Sequence, residues 1–252
     1  MDGTVTDLWI YPVKSLQGAR VASLEIGPRG VVGDRAWGFV DETSTTVASA
    51  KRHRRLLEAE GRADRVVLPD GLELALDDPG AVGEAVSGWL SRPMRLIRAA
   101  DQSGLSYQMT FDPPDDAAEM FEIPMVEGSL VDLAHVHLVV AGTLAHCASS
   151  RPDLDWDLRR FRPNLVVDLP CEAFAENAWA GRQLQVGDAV LTVSQPTVRC
   201  AMPLRAQPGL EREPELFHAM NDLNEAMPNH LGIYLEVTTP GRVSVGDPVH
   251  LD

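Results

Sequence analysis

Short apolar or alternating runs, punctuated by Gly and Pro, recur along the whole chain and limit its fold more than any other feature. They are Val5–Ile10, Val21–Ile26, Ala36–Val40, Val66–Leu68, Leu72–Leu76, Met94–Ile97, His137–Val140, Leu165–Val167, Ala189–Val193, Ile233–Val237 and Val249–Leu251. A period of two puts alternate side chains on one face of a strand, and runs this short suit strands better than helices. The pattern predicts a mainly β protein with some helix (α+β), rich in barrel-like sheet. Three helices are expected: Gly83–Leu90, Ala141–Ala148 and Glu215–Ala226. In the last, Leu216, Ala219, Met220 and Leu223 repeat at helical spacing and read as core packing. The phrases Val186-Gly187-Asp188-Ala189-Val190 and Val245-Gly246-Asp247-Pro248-Val249 each set Gly-Asp between strand-like runs, which predicts two hairpin turns. The acidic, Pro-containing stretch Phe111–Pro124 reads as a loop or linker between an N-terminal part, 1–110, and a C-terminal part, 111–252.

Composition narrows the class of partner. The 252 residues carry 37 acidic and 22 basic side chains, a formal net charge of -15, which argues against nucleic acid or an anionic membrane as a general partner. Part of the imbalance falls in Asp112, Asp115, Asp116, Glu119 and Glu122, read as a solvated loop. Cys147, Cys171 and Cys200 are widely spaced and odd in number, so a disulfide scaffold is not expected. There is no secretory signal and no apolar run near the roughly 18 residues of a membrane span, so the expected location is cytoplasmic, with no membrane partner. The histidines lack metal-binding helical spacing; His135 and His137 alternate on one strand face, and His135 reads as structural rather than as a proton donor. No G-x-S-x-G, P-loop or dinucleotide fingerprint occurs, which removes support for serine hydrolysis, nucleotide hydrolysis and direct NAD binding.

Cys200 is the most informative cysteine. It follows the strand-like run at 191–193 through Gln195-Pro196-Thr197-Val198-Arg199, which places it on a loop at a strand end. A thiolate is a nucleophile and a soft metal ligand, and a neighbouring guanidinium favours the ionised form. Alone, the residue reads first as a buried structural thiol. Three further stretches bear on it: Tyr11-Pro12-Val13-Lys14-Ser15-Leu16, Val32-Gly33-Asp34-Arg35-Ala36-Trp37 and Phe161-Arg162-Pro163-Asn164 each bring cationic or polar groups to a strand end. Such groups suit phosphates, and arginine forks suit other anions or heterocycle edges.

In their order these motifs resemble the MOSC (molybdenum cofactor sulfurase C-terminal) proteins that carry an N-terminal β-barrel domain, including the amidoxime-reducing components and their bacterial relatives. The resemblance is carried by L-W-I-Y-P-V-K-S at 8–15, G-D-R-A-W at 33–37, S-A-K-R at 49–52, F-R-P-N at 161–164, W-x-G-x-x-L-x-V-G-D at 179–188, R-C at 199–200, Q-P-G-L at 207–210, and G-I-Y followed by V-G-D-P-V. It implies two packed barrel-like units, a MOSC N-terminal domain at 1–110 and a MOSC domain at 111–252, with a molybdenum–molybdopterin cofactor in the cleft between them. Cys200 would ligate molybdenum. Lys14, Ser15, Arg35, Asp132, Arg162, Asn164, Arg199 and Tyr234 would contact or line the cofactor.

The reaction implied is two-electron reduction of small N-hydroxylated or N-oxide substrates, with release of water. Its electrons would come from a separate flavin or iron–sulfur donor protein, since the 252 residues hold no cysteine-rich cluster segment. The chain departs from its amidoxime-reducing relatives at Leu133 and Ala134, where they carry hydroxyl residues, and around Thr197-Val198 and Met202–Arg205. Those changes leave the ligand intact and alter the substrate pocket. Two other readings stay open: a sulfur-carrier or cofactor-delivery protein using a Cys200 persulfide, and a noncatalytic module holding another anion. Pyridoxal phosphate is not expected, because no lysine sits in a recognisable Schiff-base context.

Overall fold

A closed barrel of seven strands organises the chain, as seen in a computed structural model that describes every residue except Phe111, Asp112, Asp116 and Glu127. Its strands are β1 (Asp2–Ile10), β2 (Val136–Val140), β3 (Leu165–Asp168), β4 (Gln183–Val186), β5 (Ala189–Val198), β6 (His230–Thr239) and β7 (Pro248–Leu251). Around the barrel the order is β1-β3-β2-β6-β5-β4-β7, and β7 returns to β1. All the pairings are antiparallel except β2 with β3, which are joined through helix α2 (Ala141–Ser150). A parallel neighbour needs such a crossover, whereas antiparallel neighbours can be joined by a tight turn.

The barrel interior holds one face of each strand: Val5 and Leu8 from β1, Val136, Leu138 and Val140 from β2, Leu165 and Val167 from β3, Leu191 and Val193 from β5, Ile233 and Leu235 from β6. The first strand is therefore as much part of this core as strands more than 130 residues later. It is held on both edges, with Thr4, Val5, Asp7 and Leu8 facing Asp168, Val167, Val166 and Leu165, and Asp2 to Thr4 facing His250 to Pro248.

A second core lies beside the barrel. Strands 94–98, 37–41, 46–47, 106–109 and 121–124 form one sheet, and the short strands 60–61, 65–67 and 73–75 another. Val13, Leu16, Phe39, Leu56, Leu57, Val86 and Leu96 pack between them, with helix α1 (Pro79–Leu90) alongside. Asp78 caps that helix by accepting from the Ala81 N–H at 3.0 Å, and Pro79 occupies its first turn, where its missing N–H costs nothing. The mainly β architecture with three α-helices among the described residues agrees with the sequence pattern.

Three local expectations need correction. Phe111–Pro124 is not loop throughout: Phe121–Pro124 pairs antiparallel with Ser106–Met109, while Phe111, Asp112 and Asp116 lie outside the described residues. The second Gly-Asp turn is no hairpin. Gly241–Ser244 pairs with Ser23–Gly27, whereas Pro248–Leu251 joins the barrel, and Asp247 Oδ2 accepts from the Ser244 N–H at 2.7 Å to turn the chain between sheets. The first Gly-Asp does close a two-residue hairpin, with Val186 paired to Ala189 and Gly187 at a φ of 54°. Helix α3 (Glu215–Leu223) ends before Ala226, because Asn224 leaves helical geometry and its Nδ2 donates to the His230 carbonyl at 3.0 Å. Leu216, Ala219 and Met220 do face a core, as expected.

Because β1 closes the barrel, damage to it should unfold the C-terminal strands too. Leu8→Ala empties a fully buried position and should cost about 2–5 kcal/mol. Urea denaturation should show one shifted transition by both fluorescence and far-UV circular dichroism; an unaltered midpoint would contradict the closure.

Candidate functional site

Strand ends from both cores converge on one cleft, and all nine residues singled out in the sequence line it: Lys14, Ser15, Arg35, Asp132, Arg162, Asn164, Arg199, Cys200 and Tyr234. Lys14 and Ser15 follow β1 in a tight turn, in which the Lys14 N–H bonds the Trp37 carbonyl at 2.8 Å. Ser15 takes a φ of 68°, and its Oγ accepts from the Ala50 N–H at 3.0 Å, fastening the 49–51 segment to the cleft wall. Gly38 makes room: a Cβ there would lie 2.8 Å from Leu130 Cδ1 and 3.3 Å from the Lys14 Cβ. Arg35 and Arg162 also hold positive φ, 45° and 54°. Non-glycine residues are held in that region at a cost, and the surrounding bonds must fix them there.

The lining contains five cationic side chains, Lys14, Arg35, Lys51, Arg162 and Arg199, against one carboxylate, Asp132. Asp132 is clamped between two ammonium groups, with Lys14 Nζ at 2.5 Å and Lys51 Nζ at 2.6 Å. Lys14 also donates to the Leu130 carbonyl at 2.8 Å, and both ammonium groups lie near the Tyr107 ring, Lys51 at 4.3 Å from its centroid. Burial alone would raise the Asp132 pKa; the two lysines overcome this and hold it well below the usual carboxylate range. Burial lowers Lys14. In Lys51 burial acts the same way but is outweighed by Asp132, so its pKa is raised.

The other three cations are fixed by backbone carbonyls and, for Arg35, by a carboxylate as well. Arg35 pairs with Asp34, whose Oδ1 accepts from the Tyr11 N–H at 2.8 Å. The Arg35 and Arg162 guanidinium carbons sit 4.6 and 4.2 Å from the Tyr11 ring centroid. Burial, then the charge of Arg35, lowers the Arg162 pKa to about 10. Arg162 Nη1 donates to the Leu16 carbonyl at 2.8 Å, and Arg199 Nη2 to that of Phe161 at 2.7 Å. Two guanidinium nitrogens, Arg162 Nη2 and Arg199 Nε, are buried with no partner among the described residues. Buried donors are normally satisfied, and these two are exceptions on residues of the cleft lining.

Asn164 is already committed. Its Oδ1 accepts from the His137 N–H at 3.3 Å and Arg35 Nη1 at 3.4 Å, and its Nδ2 donates to the Trp9 carbonyl at 3.3 Å. It positions its neighbours. Cys200 lies just past β5 and leans, with Met202, on the N-terminal core. The backbone before it is pinned to Asn229 by two bonds, Arg199 N–H to the Asn229 carbonyl at 2.8 Å and Asn229 Nδ2 to the Arg199 carbonyl at 2.7 Å. Arg160, fully buried, donates to the carbonyls of Pro203, Arg205 and Glu211 and so braces the segment after Cys200.

The sequence reading left out Lys51, Ser49 and His137, all of which line the cleft. S-A-K-R at 49–52 was the available signal for the first two. His137 accepts at Nε2 from Arg199 Nη1 at 3.2 Å, which leaves its proton on Nδ1, 3.5 Å from the Arg162 carbonyl. Gly232, at a φ of 80°, allows this approach, since a Cβ there would lie 2.8 Å from His137 Nε2. His135 Nε2 is buried without a partner among the described residues, so that histidine is not fully satisfied as expected.

Residues 2–121 match the MOSC N-terminal beta barrel domain and residues 128–250 the MOSC domain. The chain is a MOSC-domain protein. The human mitochondrial amidoxime-reducing component 1 is 25% identical over 293 residues, covering 99% of this chain and 83% of that protein. Human molybdenum cofactor sulfurase is 23% identical over 97% of this chain, which spans 32% of the sulfurase. The crystal structure of the YUAD protein from Bacillus subtilis superposes with a TM-score of 0.47 at 13% identity, covering 100% of this chain and 96% of that one. Through the names of its relatives, this MOSC protein is linked to molybdenum-cofactor chemistry.

Burial, then the charge of Arg199, pushes the His137 pKa well below 6.5, so the folded chain keeps it neutral where the unfolded chain would protonate it. Stability from this group is full above pH 6.5. It is lost as pH falls, at up to about 1.4 kcal/mol per pH unit until the folded pKa is reached. Glu176, raised to about 7 by burial, acts in the opposite direction over part of this window. The expected outcome is therefore a difference: between pH 7 and pH 5 wild type should lose more stability than His137→Gln, measured by denaturant titration, and parallel losses would contradict it.

Proposed function

We propose that this chain is a molybdenum-cofactor-dependent reductase of small N-hydroxylated or N-oxide compounds, fed by a separate flavin or iron–sulfur electron donor. The observation that carries the reading is the cationic cleft ending at Cys200 in a protein whose net charge is -15. The residues present fit the cofactor chemically. Its phosphate and heterocycle need several donors, and the cleft offers five cations, with the unpartnered Arg162 Nη2 and Arg199 Nε among their nitrogens. No cluster of three or more His, Cys, Asp or Glu that could hold a bare metal ion occurs among the described residues. A metal that arrives with its own dithiolene sulfurs needs one soft protein ligand, and the Cys200 sulfur would be that ligand.

When bound, the cofactor supplies two electrons and an oxygen-accepting metal; with two protons, an N–OH becomes N–H and water. The chain's own residues bind and orient. Lys14, Arg35, Arg162 and Arg199 would hold the pterin and its phosphate, Ser15 and Tyr234 would line it, and Asn164 would keep Arg35 and His137 in place. Asp132 stays ionised between Lys14 and Lys51 and keeps both ammonium groups at the cleft wall, so the charge that faces the anion is fixed before it arrives. The free thiols of all three cysteines are compatible with the cytoplasm as the working compartment.

Metal and pterin analysis of protein made in a cofactor-competent host tests the reading. Wild type should carry molybdenum and pterin near one equivalent, and Cys200→Ala should lose the metal while keeping part of the pterin through the cationic wall. Full molybdenum in the variant would contradict the ligand. Wild type with a Cys200 persulfide and neither molybdenum nor pterin would assign the chain to sulfur transfer instead.

A further inference from the structure

Arg35 lines a second recess as well as the cationic cleft. This one measures about 290 Å³ and is walled by residues 27–36, 98–100 and 128–129. A short hairpin builds one side. Ile26 pairs with Val31 and Gly27 with Gly30, so Pro28 and Arg29 form its tip, and Gly30 holds a φ of 97°. Ile26 and Val31 root that hairpin in the barrel core. On the other side Arg98 stands opposite Trp37 in the sheet, its guanidinium carbon 5.8 Å from the Trp37 ring centroid.

Two cations here are left uncompensated. The exposed Arg20, Arg55, Arg62, Arg95 and Arg242 each pair with a carboxylate. Arg29 and Arg98 are exposed too, yet pair with none among the described residues. The one described carboxylate on the recess wall, Asp34, is buried and already bonded to Arg35. Gly128 leaves room for the Arg29 head, since a Cβ there would lie 2.8 Å from Arg29 Nη1. Val32 lines the same recess and is 61% exposed. Arginine beside open apolar surface is the composition of an interaction site.

At a net charge of -15 the chain repels an acidic protein at long range, so such a partner is admitted only where the sign reverses locally. Redox encounters are small and electrostatically steered, which suits a patch of this kind. We propose that this face docks a small acidic one-electron carrier protein, its carboxylates on Arg29 and Arg98 and an apolar contact on Val32, and that electrons enter the cleft past Arg35. The need for electrons rests on the reductase reading; the acidic character of the partner follows from the two unpaired arginines. Two reduced carriers are oxidised per turnover, and one N–OH takes their two electrons with two protons to give N–H and water.

The experiment is calorimetric titration of the cofactor-loaded protein at low ionic strength with an oxidised, acidic [2Fe–2S] ferredoxin, and with a basic cytochrome c as the carrier of opposite charge. The ferredoxin should bind wild type and lose about tenfold in affinity in Arg29→Glu and in Arg98→Glu, while Arg151→Glu, the same change at the end of α2, should cost less than about twofold. Salt at about 1 M should remove most of the wild-type affinity. The cytochrome should bind both recess variants no more weakly than wild type. Absence of ferredoxin binding to wild type, affinity kept in both recess variants, or equal loss for both carriers overturns the proposal. Dithionite needs no docking face, so with it wild type, Arg29→Glu and Arg98→Glu should reduce benzamidoxime at equal rates; slower variants would place the arginines in the reaction site and also overturn the proposal. Ferredoxin bound at the arginines of a protein that dithionite cannot drive removes the reductase and leaves the docking face. Dithionite-driven reduction with ferredoxin indifferent to the reversals removes the docking face and leaves the reductase.

Discussion

Closure of the barrel by the first strand is the constraint on which the site depends. Residues 2–10 must insert between β3 and β7, and once they do, the chain that follows is delivered to the barrel rim as the Tyr11–Leu16 turn. The Trp9 N–H is bonded to the Asn164 carbonyl at 2.9 Å, and Arg162 Nη1 to the Leu16 carbonyl. The two walls of the cleft are thus tied by the same contacts that close the core. Barrel strands are rigid because their hydrogen bonds leave no free edge, so groups at their ends keep their spacing.

That rigidity is needed because the charge in the cleft works against folding. Five buried or partly buried cations repel one another, and desolvating each is costly unless an opposite charge or fixed dipoles replace the water. One carboxylate, Asp132, offsets two of them, and Asp34 offsets Arg35. Arg162 and Arg199 rely on carbonyl oxygens and on aromatic faces, Tyr11 and Phe161. Their lowered pKa values express the unmet part of that cost. An anion in the cleft relieves it, and any ligand bound by the folded state alone stabilises that state.

Much of this was legible in the sequence. Alternation marked Val5–Ile10, buried on one face, while His137–Val140 and Leu165–Val167, buried on both faces, showed as short apolar runs. Very short strands such as Thr46–Val47 carry too few residues to show a period, and Phe121–Pro124 was hidden by the acids around it. Ring closure was not legible, since pairing between residues 2–10 and 165–168 leaves no local trace. Short motifs and the family resemblance together named the nine candidate residues, Asp132 by the resemblance alone, and all nine line one cleft. Lys51 stood inside a quoted motif but looked like part of a basic surface run. His137 showed only its strand parity; that its ring would meet Arg199 depends on Gly232, 95 residues further on.

Charge and apolar surface are interleaved around Cys200. Long-range charge from Lys14, Arg35, Lys51, Arg162 and Arg199 attracts an anion, and fixed donors discriminate its shape, while Leu133, Val198 and Tyr234 on the same lining reward apolar area at short range. The two kinds of residue differ in what holds them. Lys14 and Lys51 are both tied to Asp132, so a change at any of the three unbalances the others. Leu133 and Val198 are 42% and 43% exposed and take no part in those ion pairs, so they can change with little consequence for the charges behind them.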